Sequence, residues 1–112
     1  MAFQALFVHE GKSIDYTPSS AVAVGDVVVQ GDLVGVAKTP IAANALGSLA
    51  VSGVFDFAKA TGTSTAIAAG TKVYWDATNK VATATATSNK YIGKVVKAAV
   101  DADATVRVRL EQ

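Results

Sequence analysis

One histidine and nine carboxylate side chains, spread through 112 residues without a cysteine, are all this chain has for proton or metal chemistry. A Ser-His-Asp arrangement would have to use His9, which sits in a polar turn with Glu10 and Lys12. A solvated turn does not supply the buried orienting carboxylate that a catalytic base needs. Asp26, Asp32, Asp56 and Asp76 each stand alone beside glycine or an aromatic-rich run. They have neither EF-hand spacing nor a second ligand at a fixed offset, so turn chemistry and edge solvation are their expected uses. Absent cysteine excludes thiolate catalysis and thiolate metal sites. Gly11-Lys12-Ser13 resembles the tail of a phosphate-binding loop, but the glycine required five positions earlier is Leu6 here. The next residues, Ile14-Asp15-Tyr16-Thr17-Pro18, are β-branched in part and stopped by proline, so no helix N-terminus would face a phosphate. No catalytic, metal or cofactor-binding residue is expected.

The aromatics offer binding rather than reaction. Tyr74 and Trp75 are adjacent in a strand-like run, so their rings face opposite sides of a sheet and at least one leaves the main core. Trp75 then serves either as an interface anchor or as the cap of an open barrel end. Phe55 and Phe57 flank Asp56 and share a face, where core packing is expected. Phe3, Phe7, Tyr16, Tyr74 and Trp75 are the candidate contact residues, chosen as aromatics near the terminus or hairpin ends.

The elements that would hold these residues are strands. Valine and threonine are abundant and glycines punctuate the chain at turn-like intervals. The pattern predicts strands at Phe3 to Val8 and Ser13 to Thr17, joined as a hairpin by His9-Glu10-Gly11-Lys12, with Pro18 ending the pairing. Val27 to Gln30 and Leu33 to Val36 flank Gly31-Asp32, the sharpest two-residue hairpin signal present. Leu49 to Val51 and Val54 to Phe57 surround Ser52-Gly53, read as a second hairpin or one strand bent at a glycine bulge. Lys72 to Trp75 and Val81 to Thr85 bracket a turn-rich loop, and Tyr91 to Val96 and Thr105 to Leu110 complete the set. In the last run the period of two sends Val106, Val108 and Leu110 inward and leaves Arg107 and Arg109 on the wet face. The alanine-rich pieces 41–46 and 97–104 are too short for independent helices and read as loops with at most one turn.

Length predicts one domain, residues 1–112, with a hairpin or arm at 1–20 and a β core over 21–112. A formal charge of +1 lacks the basic excess of a dedicated nucleic-acid binder, so no nucleic-acid partner is expected. The N-terminus lacks a secretory signal pattern and no apolar run approaches the ~20 residues of a membrane helix, so a soluble chain made in the cytoplasm is expected.

Two stretches read as diverged copies of one β unit. The first runs Gly25-Asp26-Val27-Val28-Val29-Gln30, then Leu33-Val34-Gly35-Val36-Ala37-Lys38, then Leu49-Ala50-Val51. The second runs Gly70-Thr71-Lys72-Val73-Tyr74-Trp75, then Tyr91-Ile92-Gly93-Lys94-Val95-Val96-Lys97, then Val106-Arg107-Val108. Neither can bury a core alone, which predicts an all-β fold, a small barrel or sandwich closed from two units.

These blocks, with Leu49 to Asp56, Gly70 to Asp76, Ile92-Gly93 and Val106 to Leu110, resemble in order and spacing the small capsid cement, or decoration, proteins of tailed bacteriophages. The resemblance covers the chain from about Gly25 onward, and the segment before it fits loosely. It implies a non-enzymatic virion protein, synthesised in the host cytoplasm, that sits on the capsid exterior as a homo-oligomer, dimer or trimer, and bridges neighbouring major capsid protein subunits. Residues 2–20 would be an arm reaching a neighbour. Some members of that family have been labelled recombinases, which the missing phosphate-binding loop argues against. Two rivals stand beside it: a carbohydrate- or ligand-binding β module, in which Tyr16 or Tyr91 would join Tyr74 and Trp75, and a hydrolase using a pair of carboxylates.

Overall fold

In the computed structural model, which describes residues 4–112, nine strands form two open antiparallel sheets and no helix. The first sheet contains β1 (Ser13–Tyr16), β2 (Val27–Gln30), β3 (Leu33–Val36) and β4 (Gly47–Ala50), in the order β1-β4-β3-β2. The second contains β5 (Gly53–Ala58), β6 (Lys72–Asp76), β7 (Val81–Thr83), β8 (Lys90–Lys97) and β9 (Thr105–Leu110), in the order β5-β9-β8-β6-β7. The arrangement is sandwich-like, with two open sheets in place of a closed barrel. One main core joins them: Val34 and Val36 of β3 pack with Phe57, Val73, Trp75, Ile92, Val95, Val106, Val108 and Leu110 of the second sheet. A smaller cluster of Ala37, Ile41 and Leu49 lies against Ile14, Tyr16, Val22 and Val28.

The two sequence copies occupy equivalent places. β2, β3 and β4 are successive neighbours in the first sheet, as β6, β8 and β9 are in the second, and the preceding strand, β1 or β5, adds to the far edge in each. Local contacts repeat as well. Gly25 donates its N–H to Ala37 O at 2.7 Å and Gly70 donates to Val95 O at 2.7 Å, with φ of 87° and 86°. The isolated bridge Val22–Ile41 is matched by Ile67–Ala99. The second unit departs where the segment between β6 and β8 carries the extra strand β7, where its ladders shift register between Val73 and Tyr74 and between Val95 and Lys97, and where β8 and β9 pair over several residues while β3 and β4 pair only at Val36–Ala50.

Turn chemistry behaves as its residues dictate. Gly31, with φ 62°, opens the two-residue turn between β2 and β3. In the β6–β7 loop Asp76 Oδ1 accepts the N–H groups of Thr78 and Asn79 at 3.0 and 3.1 Å. The segments around 41–46 and 98–104 are turned loops. Gln112 ties the sheets together: its Nε2 donates to Val34 O at 2.6 Å while Val34 N–H donates to its Oε1 at 2.7 Å, so a side-chain amide takes the place of a strand beside β3.

Two expectations are corrected. No strand forms over residues 4–8, so the N-terminal hairpin is absent among the described residues, and Phe3 lies outside them. Instead β1 pairs with β4 from Ser13–Ala50 to Tyr16–Gly47. An isolated hairpin is marginal in water, whereas β4 offers an existing sheet edge and apolar cover for Ile14 and Tyr16. Of the two alternatives read at Ser52-Gly53 the hairpin does not form, and the chain bends there, with Gly53 at φ 122°. β4 and β5 belong to different sheets, and the chain crosses between them there, so Leu49 enters the smaller cluster and Phe57 the main core.

Candidate functional site

The four candidate contact aromatics among the described residues, Phe7, Tyr16, Tyr74 and Trp75, do not converge. Phe7 lies ahead of β1 with Leu6 and Val8, all three well exposed. Tyr16 is half-buried against the smaller cluster. Trp75 is only 7% exposed and its ring centroid lies 5.9 Å from that of Phe57, which places it in the core. Tyr74 points to the opposite side and meets Tyr91 edge-on at 5.7 Å. Burial, followed by the nearby Glu111 carboxylate, pushes the Tyr91 phenol up from its ordinary value. Because Tyr74 and Trp75 face opposite ways, no single aromatic cluster contains both.

An open groove of about 510 Å³ separates β2 from β5, with Val27, Val29, Phe55, Phe57 and Trp75 along it and Asp26, Asp56 and Lys80 at its margin. β2 is an edge strand of the first sheet. Val34, opposite Val29, directs its backbone groups to Gln112, away from β2. By antiparallel alternation Val27 and Val29 therefore direct theirs to the open edge.

The outer face of the second sheet is basic. Strand register sets Lys72 of β6 opposite Lys94 of β8, and Lys94 opposite Arg109 of β9. A second row sets Lys97 opposite Arg107 and Arg107 opposite Asp56. All five cations are exposed: Val73, Val95, Val106 and Val108 take the inner face at alternate positions, and the register shift between Val95 and Lys97 sets Lys97 opposite the outward Arg107. Arg107 grips Asp56 with Nε–Oδ1 at 2.9 Å and Nη2–Oδ2 at 3.2 Å, while Arg109 meets Glu111 at 4.0 Å. Among the described residues Lys72, Lys94 and Lys97 make no ion pair. The sequence pattern exposed Arg107 and Arg109 as a wet face, but it missed the three lysines. They lie in other strands, and only long-range register sets them beside the arginines.

Among the described residues no group of three or more histidine, aspartate or glutamate side chains comes together. The carboxylates act in local structure. The N–H groups of Asn79, its side-chain amide and then Thr78 hold the Asp76 carboxyl below its ordinary value of 3.8. Lys90 does the same for Asp32, and Arg107 for Asp56. A carboxyl lowered by folding contributes stability that is present above its unfolded value and lost as pH falls through the folded one. The urea midpoint is therefore expected to hold from neutrality to about pH 5 and then fall progressively below about pH 4. Asp76→Ala, compared across the same pH series, should show a shallower acid limb; an unchanged limb would remove Asp76 from this account.

A family model described as phage cement protein matches residues 8–110. The chain belongs to the phage cement protein family. No curated protein and no solved structure matches the chain. Cement proteins are structural and non-enzymatic, so membership gives this one a structural role in the phage capsid.

Proposed function

We propose that this cement protein binds the outer surface of a tailed-phage head as a homo-oligomer and stabilises contacts between neighbouring major capsid subunits. Family membership over residues 8–110 carries the reading. Its physical support is a β core that leaves an apolar segment, a strand edge and a basic face exposed. The arm exposes Leu6, Phe7 and Val8 at 67%, 77% and 81%, an apolar run that a neighbouring molecule could cover. The open edge of β2 could pair with a strand from another chain. Repetition over a lattice multiplies individually modest contacts, which suits a small subunit.

The test is co-sedimentation of the purified protein with expanded cognate heads that lack it, scored as bound copies per shell. Saturable binding at a lattice stoichiometry is expected. No binding at high concentration would overturn the reading. In that case the groove between β2 and β5, with Phe55, Phe57 and Trp75 along it, favours the alternative of a carbohydrate- or ligand-binding module. Its signature would be a saturable change in Trp75 fluorescence on titration with oligosaccharides.

A further inference from the structure

Three like-charge pairs face each other directly across neighbouring strands of one sheet: Lys72 and Lys94, Lys94 and Arg109, Lys97 and Arg107. Like charges in register disfavour a sheet, so the isolated fold gains nothing from these placements. A set of external carboxylates would reverse their sign.

We propose that the outer face of β6, β8 and β9, centred on Lys72, Lys94 and Arg109, docks onto a carboxylate-rich protein surface on the head. This rests on the head-binding reading above. Charge is segregated in the chain. The face and its margin hold five cations (Lys72, Lys94, Lys97, Arg107 and Arg109) against two carboxylates (Asp56 and Glu111), and the rest of the sequence holds five cations and seven carboxylates. Asp56 occupies Arg107, and Glu111 reaches Arg109 only at 4.0 Å. Lys72, Lys94 and Lys97 therefore remain available to outside partners, and Arg109 can turn its planar fork to an incoming carboxylate. Beside the row, the Tyr74 and Tyr91 rings supply apolar area with polar tips, the kind of anchor that protein contacts favour.

A protein surface fits this face better than nucleic acid does. The row across β6, β8 and β9 spans roughly 10 Å, two strand spacings. It is a compact patch without the long basic track that follows a phosphate backbone, and the chain as a whole is nearly neutral. Its basic sign would also steer the subunit toward an acidic lattice with the correct face forward.

The experiment compares the wild type, the Lys72→Glu/Lys94→Glu double variant and a Lys38→Glu control, titrated onto heads lacking the protein at low and moderate salt. Lys38 is exposed and lies outside the basic rows and the N-terminal segment. The expected result is wild-type binding that weakens with salt, an unchanged control, and a loss of about 10- to 100-fold in apparent affinity for the double variant. A Lys94→Gln variant checks the fold: its urea midpoint should equal or exceed the wild type's, because it removes repulsion while weakening head binding. Equal binding by the wild type and the Lys72→Glu/Lys94→Glu variant would overturn this face and leave the cement role standing. Tighter binding to a DNA duplex of about 20 base pairs than to heads, lost in the same variant, would overturn it in favour of a nucleic-acid surface. Failure of the wild type itself to bind heads would remove both readings.

Discussion

Replacing Gly93 with alanine should cost more than about 3 kcal/mol, beyond the usual range for an overpacked site. A Cβ at this position would lie 1.9 Å from Arg109 O and 2.9 Å from its carbonyl carbon. Both obstacles are backbone, so no rotamer change relieves them. β8 and β9 would have to separate at the centre of the second sheet, where Gly93 also pairs with Val73 of β6. The equivalent glycine of the first unit, Gly35, gives a graded comparison. There a Cβ would meet Leu49 Cβ at 2.8 Å and Cδ1 at 3.2 Å, atoms of a side chain that can shift in part. Gly35→Ala should therefore be destabilising but milder than Gly93→Ala. For a domain whose whole stability is on the order of 5–15 kcal/mol, the Gly93 change consumes a large share. Equilibrium urea unfolding of both variants checks the order; a wild-type midpoint for Gly93→Ala would show that β8 and β9 do not approach so closely.

Trp75→Ala is expected to cost about 3–5 kcal/mol, and Tyr74→Ala substantially less. Trp75 is 7% exposed, packs against Phe57 at 5.9 Å with planes inclined by 58°, and belongs to the core that joins both sheets. Truncation would leave a cavity lined by strands too firmly paired to collapse. Tyr74 is half-buried on the opposite face, and its principal aromatic partner is Tyr91. Far-UV circular dichroism should follow the unfolding, because the variant lacks the only tryptophan. Equal losses for the two variants would mean that Trp75 is not the inward ring of the pair. The comparison also separates stability from binding, since Tyr74 borders the basic rows and its truncation should weaken head association more than folding.

The segment before β1 poses a different physical problem from the core. Leu6, Phe7 and Val8 remain exposed because no strand pairs with residues 4–8. An apolar run leading into a polar, glycine-containing turn made this segment resemble a strand, but a strand exists only if another edge receives it. β1 has β4 as its partner, and residues 4–8 join no strand within the described chain. The expected hairpin failed for that reason: its outer half had correct local chemistry and no apolar surface to cover.

Much of the rest was legible from local residue order. Gly31-Asp32 marked the β2–β3 hairpin because its glycine permits the turn's backbone, and Asp76 marked the β6–β7 loop because its carboxylate can collect neighbouring N–H groups. The alternation in Val106-Arg107-Val108-Arg109-Leu110 fixed which side of β9 is wet. The echo between residues 25–51 and 70–108 foretold two like units, because similar blocks in similar order pair in similar ways. The block set also carried the family, through order and spacing and not through any reactive side chain.

Sequence alone thus determined the strand content, most turns, the two-unit plan and membership among cement proteins, all of which depend on neighbouring residues or their order. Tertiary structure decided that β1 joins β4, that β4 and β5 part into separate sheets, and that Trp75 turns inward while Tyr74 turns out. It also decided that Lys72, Lys94 and Arg109 stand in one row. Those outcomes depend on which edges meet and in what register. A slip of one residue would send every side chain of a strand to the other face, and the residues that set the register lie tens of positions apart in the chain.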